Sequence, residues 1–178
     1  MSSESGSGGL RRMHAGDLDR VLAWRNHPEV RRYMYTQHVI GRDEHQAWFE
    51  RAHADPSKHL LVFEREGQPG GFVNVTIVDE IARRAEWGFY LAPDARRGSG
   101  SRLGEQTLAY VFGDLKLHKL CGEALAYNER SVRFHERLGF RQEARLRDHH
   151  FDGSRYHDVI GFGLLAAEWL RGSGSEVR

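Results

Sequence analysis

The chain has 178 residues, 39% of them hydrophobic, enough to bury one good core, and one domain is the natural count. Lys and Arg total 26 against 25 Asp and Glu, and a formal net charge of +1 argues against a general nucleic-acid binder. The single cysteine, Cys121, excludes an internal disulfide and a cysteine zinc site, and no apolar run approaches membrane-spanning length.

Both ends read as disordered tails, residues 1–9 and 172–178, around a domain at 10–171. Neither end carries a targeting pattern, so the expectation is a cytoplasmic protein with no membrane partner. In chain order, Leu10 to Met13 reads as a short strand. Asp17 is placed to cap a helix through about Asn26, with Leu18, Val21, Leu22 and Arg25 at helical spacing and Pro28 ending it. The stretch from Trp24 to Tyr35 is dense in side chains that stack and hydrogen-bond, as a ligand wall or a helix-turn-helix with surface aromatics would be. Asp43 opens a further helix carrying His45, Trp48 and Phe49, which suit a core face as well as a ligand wall.

His59–Glu66 and Gly70–Val78 read as strands joined by a turn at Gly67-Gln68-Pro69-Gly70. Glu86 to Leu91 is a buried strand stopping at Pro93, followed by helical spacing of Leu103, Leu108, Val111 and Phe112. Leu117–Ala126 is another strand, Asn128 caps a helix that stops at Leu138-Gly139, and Phe140–His149 and Arg155–Leu165 form a closing hairpin around Asp152-Gly153. This order predicts the α+β class, with a central mixed, mostly antiparallel sheet of about seven strands flanked by helices.

Two stretches carry chemistry. In Asp94 to Ser101, Gly98 and Gly100 let the backbone approach a ligand, successive N–H groups form a nest at a helix N-terminus, and Arg96 and Arg97 suit a pyrophosphate. It is neither a P-loop, since Ser101-Arg102 follows the second glycine, nor a dinucleotide fingerprint, since Leu103 stands where Gly or Ala is needed. On the helix after Asn128, the residues Asn128, Ser131 and His135 share a polar face, while Phe134 and Leu138 form the opposite stripe, which points His135 away from the packed side. A metal module at Asp148, His149, His150, Asp152, His157 and Asp158 is disfavoured, because adjacent residues of a hairpin face opposite ways, and no metal is expected.

Together these stretches resemble the GCN5-related N-acetyltransferase (GNAT) superfamily, over about Leu10 to Leu170. Ala95-Arg96-Arg97-Gly98-Ser99-Gly100 is similar to its Gln/Arg-x-x-Gly-x-Gly/Ala motif, with Ala95 in place of the first polar residue. Asn128 to Phe140 is similar to its Asn-x-x-(small)-x-x-x-Tyr-x-x-x-Gly-Phe motif, with His135 where the family has tyrosine. The resemblance implies the GNAT fold and acetyl-CoA as cosubstrate, held by Phe89, Tyr90, Leu91, Arg96, Arg97, Gly98, Ser99, Gly100, Ser101, Asn128 and Ser131, with direct transfer in a ternary complex. Glu86 is then the candidate base, or a surface carboxylate paired with Arg83 or Arg84, and His135 the candidate acid.

Within the superfamily, Trp24-Arg25-Asn26-His27-Pro28, Met34-Tyr35 and Glu44-His45 are similar to the PseH-type enzymes, which acetylate the 4-amino group of a UDP-linked 4-amino-4,6-dideoxy sugar. That resemblance implies a nucleotide-linked amino sugar as the small-molecule acceptor, with Arg25, Asn26, Met34, Tyr35, His45, Trp48 and Glu123 around it. Protein N-terminal acetyltransferases of the ribosomal-protein type, aminoglycoside acetylation and a non-catalytic CoA-binding regulator are the alternatives. Many relatives pair as homodimers.

Overall fold

The computed structural model describes residues 8–173. Seven strands form one sheet: β1 (Leu10–Arg12), β2 (Lys58–Arg65), β3 (Gln68–Asp79), β4 (Arg84–Leu91), β5 (Lys119–Leu125), β6 (Arg141–Phe151) and β7 (Tyr156–Leu165). Their order is β1-β2-β3-β4-β5-β7-β6, parallel only between β4 and β5. The helices are α1 (Leu18–Asn26), α2 (Pro28–Arg31), α3 (Arg42–Ala54), α4 (Ser99–Leu108), α5 (Glu129–Arg137) and α6 (Ala166–Ser173), and α4 runs on into a wider π-helical segment over Ala109–Asp114. This is the expected α+β arrangement. No helix among the described residues is long and apolar enough to cross a membrane.

Burial on both faces explains the unbroken apolar run of β2. Leu61 and Phe63 join Val73, Val75, Ala85 and Trp87 in a core closed by Leu103, Leu108 and Phe134 of α4 and α5. Leu60 and Val62 join Phe72 on the other face, under Val21 and Trp24 of α1 and Phe49 and Ala52 of α3. Helices cover both sides, so alternation gives way to continuous hydrophobicity.

Several local expectations are corrected. The hairpin turn is Glu66-Gly67, both at positive φ (54° and 73°), and Gln68, Pro69 and Gly70 already belong to β3. A register shift between Phe63 and Glu64 fits Pro69 into the ladder. Asp17 precedes α1 without capping it: its carboxylate accepts from the His14 N–H at 3.0 Å and from Arg11 at 2.7 and 2.8 Å. Gly41, not Asp43, is the N-cap of α3. Order begins before residue 10, since Gly9 O accepts from Glu64 N at 2.9 Å and Gly8 O accepts from Gln106 at 2.8 Å. Helix α6 extends into the expected C-terminal tail, with Trp169 packed 5.6 Å from Phe112. The remaining tail residues, 1–7 and 174–178, lie outside the described residues.

The sheet opens at its centre. β4 pairs with β5 only from Arg84–Lys119 to Glu86–Cys121. Beyond Glu86 the two strands part, and the backbone groups of residues 87–91 that face β5 have no ladder partner.

Candidate active site

The parting of β4 and β5 creates two clefts that meet. One, of about 460 Å³, runs along Phe89, Tyr90 and Leu91 to Gly98, Gly100 and Ser101, and is closed on the far side by Asn128, Arg130, Ser131, Phe134 and Arg137. Gly98 is the N-cap of α4 in the left-handed region (φ 84°); the Ser99 N–H bonds Arg96 O at 3.0 Å, while those of Gly100 and Ser101, beside the cleft, have no backbone partner among the described residues. An added Cβ at Gly104 would stand 2.7 Å from Leu138, so this glycine lets α4 and α5 approach closely enough to form the walls. A groove with a strand edge free for hydrogen bonding, a helix N-terminus and two arginines suits a phosphate-bearing, extended ligand.

The second cleft, of about 450 Å³, is walled by Tyr33, Met34, Tyr35, Trp87, Phe89, Leu125 and Phe162, with Glu86, Glu123 and Glu143 among its polar lining. Met34, Phe89, Asn128 and Ser131 line both clefts. Gly88 opens into this space, for a Cβ added there would meet nothing within 4 Å. Glu143 forms an ion pair with Lys119 at 2.7 Å and Glu123 accepts from Tyr35. The Glu86 side chain is exposed and has no ion-pair or hydrogen-bond partner among the described residues, so the pairing with Arg83 or Arg84 is not formed.

His135 is turned the opposite way from the expectation. It is 1% exposed, its ring stacked on Phe162 with centroids 4.6 Å and planes 4° apart, edge-on to Trp87 and Phe140. Helix α5 sits in the angle between α4 and the sheet, so Phe134 and His135, one residue and about 100° apart, are both covered. His135 Nδ1 lies 2.8 Å from the Ser131 carbonyl, which can only accept, so Nδ1 carries the proton and Nε2 is an acceptor. Burial lowers its pKa, partly offset by the Ser131 bond, and keeps the ring neutral. In this resting state His135 has no proton at Nε2 to give.

Of the other expected cofactor contacts, Phe89, Tyr90, Leu91, Gly98, Gly100, Ser101, Asn128 and Ser131 line the first cleft, whereas Arg96, Arg97 and Ser99 do not. Arg96 is paired with Glu66, the Arg97 carbonyl accepts from Arg65 at 2.9 Å, and Ser99 is buried. Arg130 and Arg137, seven residues apart on α5, are the arginines that line that cleft.

Of the expected acceptor contacts, Met34, Tyr35 and Glu123 line the second cleft and the others do not. Arg25 donates to Thr36 O at 2.7 Å, and Asn26 clasps the backbone of Ile40 through two bonds of 2.8 Å. They hold the loop that carries Met34 and Tyr35. His45 is buried against Trp48, with ring centroids 5.1 Å apart, and Trp48 meets Phe72 edge-on; both belong to the α1–α3 side. Tyr33, Trp87, Gly88, Glu143 and Phe162 had no local signal, because strand splay and a distant loop bring them together. On the β6–β7 hairpin, His157 pairs with Asp152 at 2.6 Å.

The sequence model of the acetyltransferase (GNAT) domain matches residues 9–141. The acetyltransferase PseH of Campylobacter jejuni is 28% identical over 131 residues, covering 72% of this chain and 79% of that protein. The spermidine N(1)-acetyltransferase of Escherichia coli is 25% identical over 162 residues, covering 90% and 87%. The crystal structure of spermidine N-acetyltransferase from Vibrio cholerae in complex with CoA and spermine superposes with a TM-score of 0.86 at 26% identity, over 92% of this chain and 98% of that one. With a strand-edge groove and helix N-terminus suited to CoA, this chain belongs to the GNAT acetyltransferase family and is an N-acetyltransferase that takes acetyl-CoA as its acyl donor.

Proposed function

We propose that the acceptor is the amine of a nucleotide-linked amino sugar. The observation that carries this reading is the second cleft: a broad chamber walled by aromatic and apolar side chains, Tyr33, Met34, Tyr35, Trp87 and Phe162, fits a deoxysugar ring with an apolar edge. The likeness to PseH supports it. Acetyl-CoA would lie on the Phe89–Leu91 edge with its phosphates toward Gly98–Ser101, Arg130 and Arg137, delivering its thioester where the clefts meet. Glu86, unpaired in the chamber, is the group placed to take the amine proton, directly or through water.

A second reading has its own support. Three carboxylates, Glu86, Glu123 and Glu143, line the chamber and no arginine or lysine does, which favours a polyamine over a diphosphate. The likeness to spermidine acetyltransferases points the same way.

Thiol release from acetyl-CoA, assayed in parallel with UDP-linked 4-amino sugars, spermidine, aminoglycosides and N-terminal peptides, separates these readings. Turnover of an amino sugar alone, lowered about 10²-fold or more by Glu86→Gln, is the expected result. Turnover of spermidine with none of the sugars would transfer the proposal to polyamines.

A further inference from the structure

Below the acceptor chamber two buried polar atoms aim at one spot. His135 Nε2 and Trp87 Nε1 are each without a hydrogen-bond partner among the described residues. A Cβ built on Gly122 would stand 2.7 Å from the first and 2.6 Å from the second, so both nitrogens converge on the bare face of this glycine. They lie within about 5 Å of each other, the span that one bridging molecule covers with two hydrogen bonds.

Their chemistry is complementary. The indole nitrogen can only donate. With its Nδ1 proton committed to Ser131, the imidazole presents only a lone pair at Nε2. Phe89, Phe134, Phe140 and Phe162 surround the ring of His135, so no other side chain competes for that lone pair. Leaving both atoms unpaired in an apolar setting costs about 1–3 kcal/mol each. Water is the smallest molecule that satisfies both, accepting from Trp87 and donating to His135. Trp87, Gly122 and Phe162 also line the acceptor chamber, so this spot adjoins the place where the reacting groups meet.

We propose that Trp87 and His135 bind one water molecule over Gly122 and that this water carries the proton of the acetyl transfer. As the amine nitrogen bonds to the thioester carbon, the C–S bond breaks and its electron pair leaves on sulfur. Glu86 takes the first proton, which frees the amine from its ammonium form; the second, lost by nitrogen as the new bond forms, passes through the water to His135 Nε2 and returns by the same water to sulfur, giving amide and free thiol. The water site stands on its own, and the proton role rests on the acetyltransferase reading.

Nuclear magnetic resonance of the full chain tests the site without any acceptor. The indole N–H of Trp87, assigned by its loss in Trp87→Phe, should show a cross-relaxation peak to water, and His135 should show the neutral pattern with its proton on Nδ1. Absence of the water peak, or a scalar coupling from the Trp87 indole directly to His135 Nε2, overturns the site. Gly122→Ala should abolish the peak. The proton role is read with the acceptor that turns over best. His135→Gln still accepts a hydrogen bond but takes up no proton: it should keep the water peak and the affinity for acetyl-CoA while kcat falls at least about tenfold. Unchanged kcat in that variant overturns the relay while leaving the water site intact.

Discussion

The hydroxyl of Tyr35 donates a 2.5 Å hydrogen bond to Glu123, joining the loop after α2 to β5 across the mouth of the acceptor chamber. The same loop is tied to the turn after β5 by the Tyr127 hydroxyl, which donates to Arg32 O at 2.8 Å, and to β6 by Tyr35 packed 5.2 Å from His150. Tyr35→Phe removes one tie and leaves the ring, so the KM for the acceptor should rise about 3–10-fold, the worth of one such bond, with the KM for acetyl-CoA unchanged. Steady-state kinetics with each substrate varied in turn checks this; an effect confined to acetyl-CoA would contradict it.

Gly88 faces open space in the chamber. Gly88→Val should fold as well as the parent, since a β-branched residue suits a strand, while filling part of the chamber. The expected outcome is an unaltered melting temperature and an acceptor kcat/KM lowered by at least about tenfold, the scale on which a pocket rejects a few extra methyl groups.

Gly98 holds φ 84°, and a side chain there would meet no neighbouring atom within 4 Å, so the cost of Gly98→Ala is conformational alone. That cost is about 1–2 kcal/mol, or a fall of about 2–8 °C in Tm for a chain of this size. Gly98→Asn, which tolerates the left-handed region, should lose less. Thermal unfolding ranks the variants, and calorimetric titration should show weaker acetyl-CoA binding in the same order.

Acid should lower the stability of the fold in two pH windows. Burial lowers the pKa of His45, helped by the charge of Arg25, of His59, helped by Arg12, and of His135. Each is neutral in the fold and takes up a proton on unfolding, so its contribution is full above the unfolded value of about 6.5 and falls as pH drops below it, by up to about 1.4 kcal/mol per pH unit per proton. Burial raises Asp17, but hydrogen bonds from Arg11 and the His14 backbone outweigh it and leave its pKa lowered. Its contribution is present above the unfolded value of about 3.9 and is lost at lower pH. Calorimetry from pH 8 to 3 should show Tm declining already between pH 7 and 5.5; a flat profile there would contradict the histidine assignment.

The first cleft was readable as a cleft because its parts are local: a strand end, Gly98 and Gly100, and a helix capped by Asn128 lie within short stretches of chain. What escaped depended on distant partners. Arg96 beside the glycines reads as a phosphate ligand until the turn at Glu66, thirty residues earlier, captures it. Arg25 and Asn26 read as sugar ligands because their partners, Thr36 O and Ile40, are backbone groups that no side-chain pattern reveals. His135 reads as solvent-facing from helical spacing alone; its burial follows from Gly122 and Phe162 on other strands, which leave room for a flat ring. Helix α6 is short and runs into Gly172, and its anchor, Phe112, lies far away in the chain.

Met34 forms part of the wall of both clefts. With acetyl-CoA in the first cleft and the amine in the second, as proposed, one flexible side chain would bound both the reach of the acyl group and the approach of the acceptor. Trimming it to admit propionyl or butyryl donors would then loosen the grip on the amine in the same stroke, tying donor length to acceptor fidelity at that position.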